Sequence, residues 1–183
     1  MDTDPTPDVA AQGRRIGLRK LARMVHRNRF LAAGALTVVA LAYRRRLRRY
    51  QIAELSMAPK LQPGDYVVAV RSDRLPLRGD IVVVAHPDRP DFELVKRVIG
   101  LPGEHLAIRG GRVHIDGTPL AESWADAPTT PDLSRRLGQD VFVLGDRRTD
   151  SSADSRTIGP VPLSEASWRI VYRYWPRRRI GWI

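Results

Sequence analysis

A mostly β domain is predicted by three features of the 183-residue sequence. From Gln51 onward the apolar residues fall in short runs rich in Val and Ile. Those runs are broken by Pro, Gly and Asp, and none extends into the 3.6-residue repeat of a long helix. The runs Tyr66–Val70, Ile81–Ala85, Phe92–Ile99, Leu106–Ile108, Arg112–Ile115, Val141–Leu144 and Trp168–Trp175 read as strands. Gly110-Gly111 separates two of them and predicts a two-residue hairpin turn, because both central positions of such a turn need positive φ. Strands this short bury an apolar face by coiling or closing their sheets. Residues 116–139, with Pro119, Pro128, Thr129, Thr130 and Pro131, read as a loop-rich excursion.

Upstream of Gln51 the composition is different. Residues 1–13 are rich in Asp, Pro and Thr without apolar periodicity, as in a disordered tail. Residues 14–29 carry seven Arg and Lys among Ile16, Leu18, Leu21, Met24 and Val25, the spacing of a basic amphipathic helix. Phe30–Tyr43 is uncharged and is closed by Arg44, Arg45, Arg46, Arg48 and Arg49. As a helix that run spans about 21 Å at ~1.5 Å per residue, short of the roughly 30 Å of hydrocarbon in a bilayer. Long arginine stems at both ends snorkel to the interfaces and extend its reach. Residues 14–49 are therefore expected to be a membrane-associated or transmembrane anchor, with an interfacial helix as the alternative. No small-x-small site follows, as a cleaved leader would require. The basic flanks favour an N-terminus on the inside.

Charge follows the same division. Of the net +11, residues 1–49 hold twelve Arg and Lys against three Asp. The basicity thus flanks an apolar run and suits anionic lipid, and no nucleic-acid partner is expected. The absence of cysteine excludes thiol nucleophiles, disulfides and cysteine-ligated metals. No glycine-rich phosphate loop or metal-ligand cluster is present, so no metal or cofactor is expected. His26, His86, His105 and His114 suggest no triad.

Two residues stand out chemically. Among 31 Lys and Arg, only Lys20, Lys60 and Lys96 are lysines, and Lys96 lies inside the apolar strand Glu93–Ile99. Arginine keeps its proton in a protein, whereas a desolvated lysine gives it up, so Lys96 is a candidate base. Alternation puts Leu94 and Val98 on its face of the strand and Val95 and Arg97 on the other. Ser56 precedes Pro59 and Pro63, which forbid a helix and leave its hydroxyl on an irregular turn, a candidate nucleophile. Lys60 is four residues from Ser56, but Pro59 removes the helical geometry that would pair them.

With those residues quoted, the sequence resembles the type I signal peptidases, membrane-bound Ser/Lys endopeptidases that remove leader peptides. The resemblance covers roughly residues 51–176. Its blocks are Ser-Met-Ala-Pro at 56–59, Pro-Gly-Asp at 63–65, Arg-Gly-Asp-Ile-Val-Val at 78–83, Lys-Arg-Val-Ile-Gly-Leu-Pro-Gly-Glu at 96–104, and Gly-Asp-Arg-Arg…Ser-Ala-Asp-Ser-Arg at 145–156. It implies a coiled-sheet or closed β fold over 50–183, with a short variable β-hairpin insertion at 105–140 and a membrane anchor before it. It implies Ser56 as nucleophile and Lys96 as general base. Ser152 is assigned to orient the lysine amine, with Ser151 as the alternative because one additional residue separates Arg148 from Ser-Ala-Asp-Ser-Arg. Arg97, Asp146, Asp154 and Arg156 are assigned to ion pairs. Ile52, Met57, Leu61, Leu94 and Val95 match the lining for an extended substrate with small side chains.

The implied partners are preprotein leader peptides and membrane lipid. The protein is expected to be a monomer, single-pass in the cell membrane with its catalytic part outside. Three positions depart from the pattern. Lys60 replaces a usual threonine, Arg147 a usual asparagine, and Glu54 a Ser or Gly, of which the Ser hydroxyl helps the nucleophile's backbone N–H hold the oxyanion. A carboxylate at position 54 cannot donate unless protonated and repels an oxyanion. The alternatives are a maturation protease dedicated to one precursor, of the nickel superoxide dismutase type, a self-cleaving repressor, and a catalytically impaired peptide-binding module at the membrane. Residues 1–49 are too short and lipid-like for a repressor's DNA-binding domain.

Overall fold

The computed structural model describes residues 44–183. The expected tail and the anchor segment through Tyr43 lie outside the described residues. Among the described residues no helix is long and apolar enough to cross a membrane.

Residues Arg46–Ile183 form one unit built on two antiparallel sheets. The larger contains β1 (Leu47–Gln51), β2 (Tyr66–Arg71), β3 (Ile81–His86), β4 (Arg89–Gly100), β9 (Asp140–Leu144), β10 (Val161–Pro162), β11 (Trp168–Trp175) and β12 (Gly181–Trp182). Its order is β1-β2-β11-β3-β4-β9-β10, with β12 paired to β11. The smaller holds β5 (His105–Arg109), β6 (Arg112–Ile115), β7 (Thr118–Pro119) and β8 (Leu133–Arg136) in the order β7-β6-β5-β8. The mostly β expectation holds, and the strands read from apolar runs agree with β2, β3, β4, β5, β6, β9 and β11 to within a few residues at each end.

The apolar run of β3 is continuous because both of its faces are covered. Ile81 and Val83 join one buried cluster with Ile52, Met57, Leu61, Val67, Ala69 and Ile170. Val82 and Val84 point the other way, into a cluster with Leu94, Val98, Val141 and Val143. A third cluster, with Ile99, Leu106, Ile108, Val113, Leu137, Phe142 and Leu144, joins the two sheets. Each fully buried Val, Leu or Ile contributes roughly 1.5–3 kcal/mol, so these clusters hold the frame that positions the loops between strands. Gly110 and Gly111 have φ of 55° and 81°, the conformation of the tight turn joining β5 to β6.

Two elements differ from the sequence reading. β1 begins inside the last residues of the stretch assigned to the anchor, with Leu47 opposite Val70 and Gln51 opposite Tyr66. Its sequence, LRRYQ, has no apolar run because an edge strand leaves its side chains largely in water. Arg48 is held instead over the Trp168 ring at 4.4 Å and against Glu93 at 3.0 Å. The second difference is β8, which pairs with β5 from within the predicted loop. Together with β7 it makes the insertion a four-stranded sheet and not a hairpin. Ser134, Arg135 and Arg136 are exposed and supply no apolar signal.

Candidate active site

The site is organised by an unequal pairing of β4. On one side β4 runs along β3, from Glu93 opposite Ala85 to Arg97 opposite Ile81. On the other it meets β9 only from Arg97 onward. Among the described residues, the β9 side of Arg89–Lys96 therefore meets no strand. Beside it lies a cleft of about 130 Å³ lined by consecutive residues 50–54, Ser56, Met57, Val83 and consecutive residues 92–96. Ser56 and Lys96 share this cleft.

Ser56 sits on a turn fastened from below and from the side. Met57 and Leu61 are its apolar anchors, and Leu61 N–H donates to the Met57 carbonyl at 2.8 Å. The buried Asp65 accepts from the Gln62 N–H at 2.9 Å, from Arg173 at 3.2 Å and from Arg179 at 3.0 Å. Those arginines also donate to the Lys60 carbonyl, at 2.8 and 3.3 Å. Sequence reasoning missed this brace. Asp65 had a signal in the Pro-Gly-Asp block; the arginines, more than a hundred positions away in the chain, had none.

Lys96 is 1% exposed and Ser56 5%. The Lys96 ammonium donates to Ser151 Oγ at 3.2 Å, and Ser151 Oγ donates to Asp154 Oδ2 at 2.7 Å. Burial pulls the Lys96 pKa below that of an ordinary lysine; the carboxylates of Asp154 and Glu54 oppose this and Arg156 adds to it. Among the described residues no carboxylate lies within ion-pair distance of the amine. Asp154 is instead held by Arg156, with Nε and NH2 each at 2.9 Å. Burial pushes the Asp154 carboxyl up, but hydrogen bonds from Arg156 and Ser151 outweigh it and hold the group below the usual carboxylate range.

The serine on the lysine is therefore Ser151 and not Ser152. Ser152 is exposed, and its carbonyl accepts from Thr157 Oγ1 at 2.7 Å. Gly145 makes room for this arrangement. A Cβ there would meet Ser151 Oγ at 2.4 Å, Ser151 Cβ at 2.5 Å and the Ser56 carbonyl at 2.7 Å, so the Ser56 turn and the Ser151 loop cross against a bare backbone. Arg147 N–H donates to that same Ser56 carbonyl at 3.0 Å.

Arg97, on the opposite face of β4, grips Asp146 with Nε at 2.6 Å and NH2 at 2.5 Å, and donates to the Gly79 carbonyl at 2.8 Å. Burial pushes the Asp146 carboxyl up while this two-pronged guanidinium opposes it. Arg148, also buried, pairs with Glu122 at 2.6 Å and Thr129 at 2.7 Å, tying the loop to the excursion before β8.

Of the residues matched to a substrate lining, Ile52, Met57, Leu94 and Val95 face the cleft. Leu61 does not: it is fully buried in the cluster beneath, which corrects its assignment. Tyr50, Val83, Phe92 and Glu93 line the cleft as well. Lys60 is exposed in a separate depression with Trp124 and Asp146. His114 bonds the Arg112 carbonyl on the small sheet, and His86 accepts from the Asp88 N–H, so neither reaches Lys96. The arrangement places a hydroxyl and a desolvated amine in one apolar-floored cleft, the pairing that general-base activation of an alcohol requires.

The profile of the family described as "Signal peptidase, peptidase S26" matches residues 25–175. Signal peptidase I of Leptolyngbya laminosa is 39% identical over 166 residues, covering 82% of this chain and 76% of its own. A mitochondrial ATP-independent inner membrane protease subunit 1b of Arabidopsis thaliana is 34% identical over 133 residues, 69% of each chain. A crystal structure of a signal peptidase I from Enterococcus faecalis V583 aligns with a TM-score of 0.44 at 30% identity, over 51% of this chain and 95% of that one. A family match across most of the sequence, with relatives above 30% identity over more than two thirds of it, means that this chain belongs to the signal peptidase family, peptidase S26, and is a serine endopeptidase.

Proposed function

We propose that this protein removes leader peptides from exported preproteins with Ser56 and Lys96 as its catalytic pair. The observation that carries the reading is Lys96: a buried amine, hydrogen-bonded to a neutral hydroxyl, in the same cleft as a serine held on a rigid turn. The neutral amine takes the Ser56 proton as Oγ attacks the scissile carbonyl. The tetrahedral oxyanion collapses, the new ammonium gives its proton to the departing amine, and an ester remains on Ser56. Lys96 then takes a proton from water, which hydrolyses the ester. The Ser56 N–H is the donor toward the oxyanion. Ser151 orients the lysine, and the pairs Arg97–Asp146 and Arg156–Asp154 hold the loops that present it. An extended substrate adds to the unpaired side of β4 at 93–96, with residues 52–54 along its other side. The apolar floor of Ile52, Met57, Leu94 and Val95 leaves room for small side chains.

In this reading residues 30–43 anchor the chain in the cell membrane with the domain outside, monomeric beside its substrates. The coiling of the larger sheet brings Arg48 and Tyr50 of β1 to Glu93 of β4, at 3.0 and 3.3 Å. The test is cleavage of an Ala-x-Ala leader peptide by the detergent-solubilised protein. Loss of cleavage in Ser56→Ala and Lys96→Met, with Lys60→Met and His114→Ala active, is the expected outcome. Cleavage surviving Lys96→Met sinks the dyad, and an unmodified protein inert on a panel of precursors favours a dedicated substrate.

A further inference from the structure

Glu54 lines the cleft two residues before Ser56 and is exposed at its rim. Among the described residues it makes no ion pair and no side-chain hydrogen bond. Glu93, the other carboxylate of the cleft, is engaged by Arg48 at 3.0 Å and by the Tyr50 hydroxyl at 3.3 Å. The charges that face Lys96 come from each neighbouring segment. Asp154 and Arg156 belong to the loop after β9 and neutralise one another at 2.9 Å. Glu54 comes from the Ser56 turn, while Glu93, on the other face of β4, is matched by Arg48 of β1. Glu54 is thus the uncompensated charge of the site once Lys96 is neutral, and neutral is the form a base must have.

We propose that Glu54 is a specificity-determining residue that selects substrates with an arginine or lysine within two residues of the scissile bond, and that such a cation relieves a brake on Lys96. The inference rests on the Ser56/Lys96 reading above. The brake is electrostatic: the Glu54 carboxylate favours the protonated amine and so opposes its use as a base. A substrate guanidinium or ammonium in the cleft offsets that field twice, by pairing with Glu54 and by repelling the proton on Lys96. The cation therefore raises turnover at neutral pH as well as affinity. A leader with an acidic residue at the same place meets the unpaired Glu54 carboxylate and is repelled.

The experiment uses the full chain and an Ala-x-Ala peptide in which Ala, Arg or Glu is placed at x and at each of the two positions after the scissile bond. At its best position the Arg peptide is expected to exceed the Ala peptide by about three- to tenfold in kcat/KM, and the Glu peptide to fall below both. The pH of half-maximal kcat is lower for Arg than for Ala. Glu54→Gln erases the preference and shifts the Ala-peptide profile to lower pH, and Glu54→Lys inverts the preference; unchanged melting temperatures exclude misfolding. Equal cleavage of all peptides, or a preference that survives Glu54→Gln, overturns the proposal while leaving the peptidase reading intact. A second arm measures binding of the same fluorescent peptides to Ser56→Ala protein by anisotropy. If the unmodified protein cuts nothing, an Arg preference in this arm that Glu54→Gln abolishes upholds Glu54 independently of cleavage, and its absence overturns the proposal.

Discussion

Lys96 and Arg97 are adjacent on β4, both buried, and treated in opposite ways. Arg97 points to one face and meets a carboxylate at two points, with a carbonyl taking a third N–H. Lys96 points to the other and meets a serine hydroxyl whose own proton is committed to Asp154. A guanidinium never yields its proton, so the protein completes its charge and uses it as a rivet between β4 and the Asp146 loop. The ammonium is left without a counter-ion in contact, so burial weakens its hold on its proton. In the proposed mechanism one strand thereby separates holding the site together from doing its chemistry. The same carboxylate–arginine logic that protects Asp154 from Lys96 keeps the two functions from merging.

The largest effect should come from making Lys96 resemble its neighbour. Lys96→Arg keeps the charge and removes the base, and is expected to lower cleavage on the order of a thousandfold or more, as is Ser56→Ala. Lys96→Met should lose as much activity yet raise the melting temperature, since exchanging a buried charge for an apolar group of similar size stabilises by about 1–3 kcal/mol. A Lys96→Met protein that melts lower would contradict the view of Lys96 as a strained cation.

Breaking the rivet should do the reverse. Arg97→Ala or Asp146→Ala leaves one buried charge alone and is expected to cost about 3–5 kcal/mol of stability in denaturant unfolding. Replacing both with apolar residues should recover much of that loss. Next in size is Ser151→Ala, expected to reduce turnover about 10- to 100-fold with a small change in stability, whereas Ser152→Ala leaves cleavage unchanged. Equal effects of the two serines would return the orienting role to the exposed residue.

The smallest effect is the dependence of stability on pH. Because Lys96 has a lower pKa folded than unfolded, the unfolded chain binds more protons between the two values. Stability therefore rises with pH across that window, and Lys96→Met should flatten the rise. Asp154 works at the other end. Its folded pKa is depressed, so its contribution is present above the ordinary carboxylate range and is lost as pH falls through the folded value. Asp154→Asn should reduce the acid sensitivity of unfolding.

Much of this was written locally. Lys96 was conspicuous as a lysine in an arginine-rich chain, inside a Val-rich strand, and Ser56 by prolines that exclude a helix. The Gly110-Gly111 hairpin needs only its own two positive φ values. β1 and β8 were illegible for the converse reason: their arginines and serines look like a solvent-facing flank and a loop, and they are strands because β2 and β5 offer them an edge.

What the sequence determined by itself was the mostly β character and the family, and it singled out Ser56 and Lys96 as candidates, because propensity, periodicity and motif spacing are properties of short segments. Tertiary structure decided which serine reaches the lysine, that Leu61 is floor and not lining, that Arg173 and Arg179 brace a turn over a hundred residues away, and that Glu54, unpaired among the described residues, shares a cleft with Lys96. These depend on distances between segments remote in sequence. The close approach that leaves no room for a Cβ at Gly145, like the two-pronged bond at Asp146, exists only once the segments that carry it have been packed.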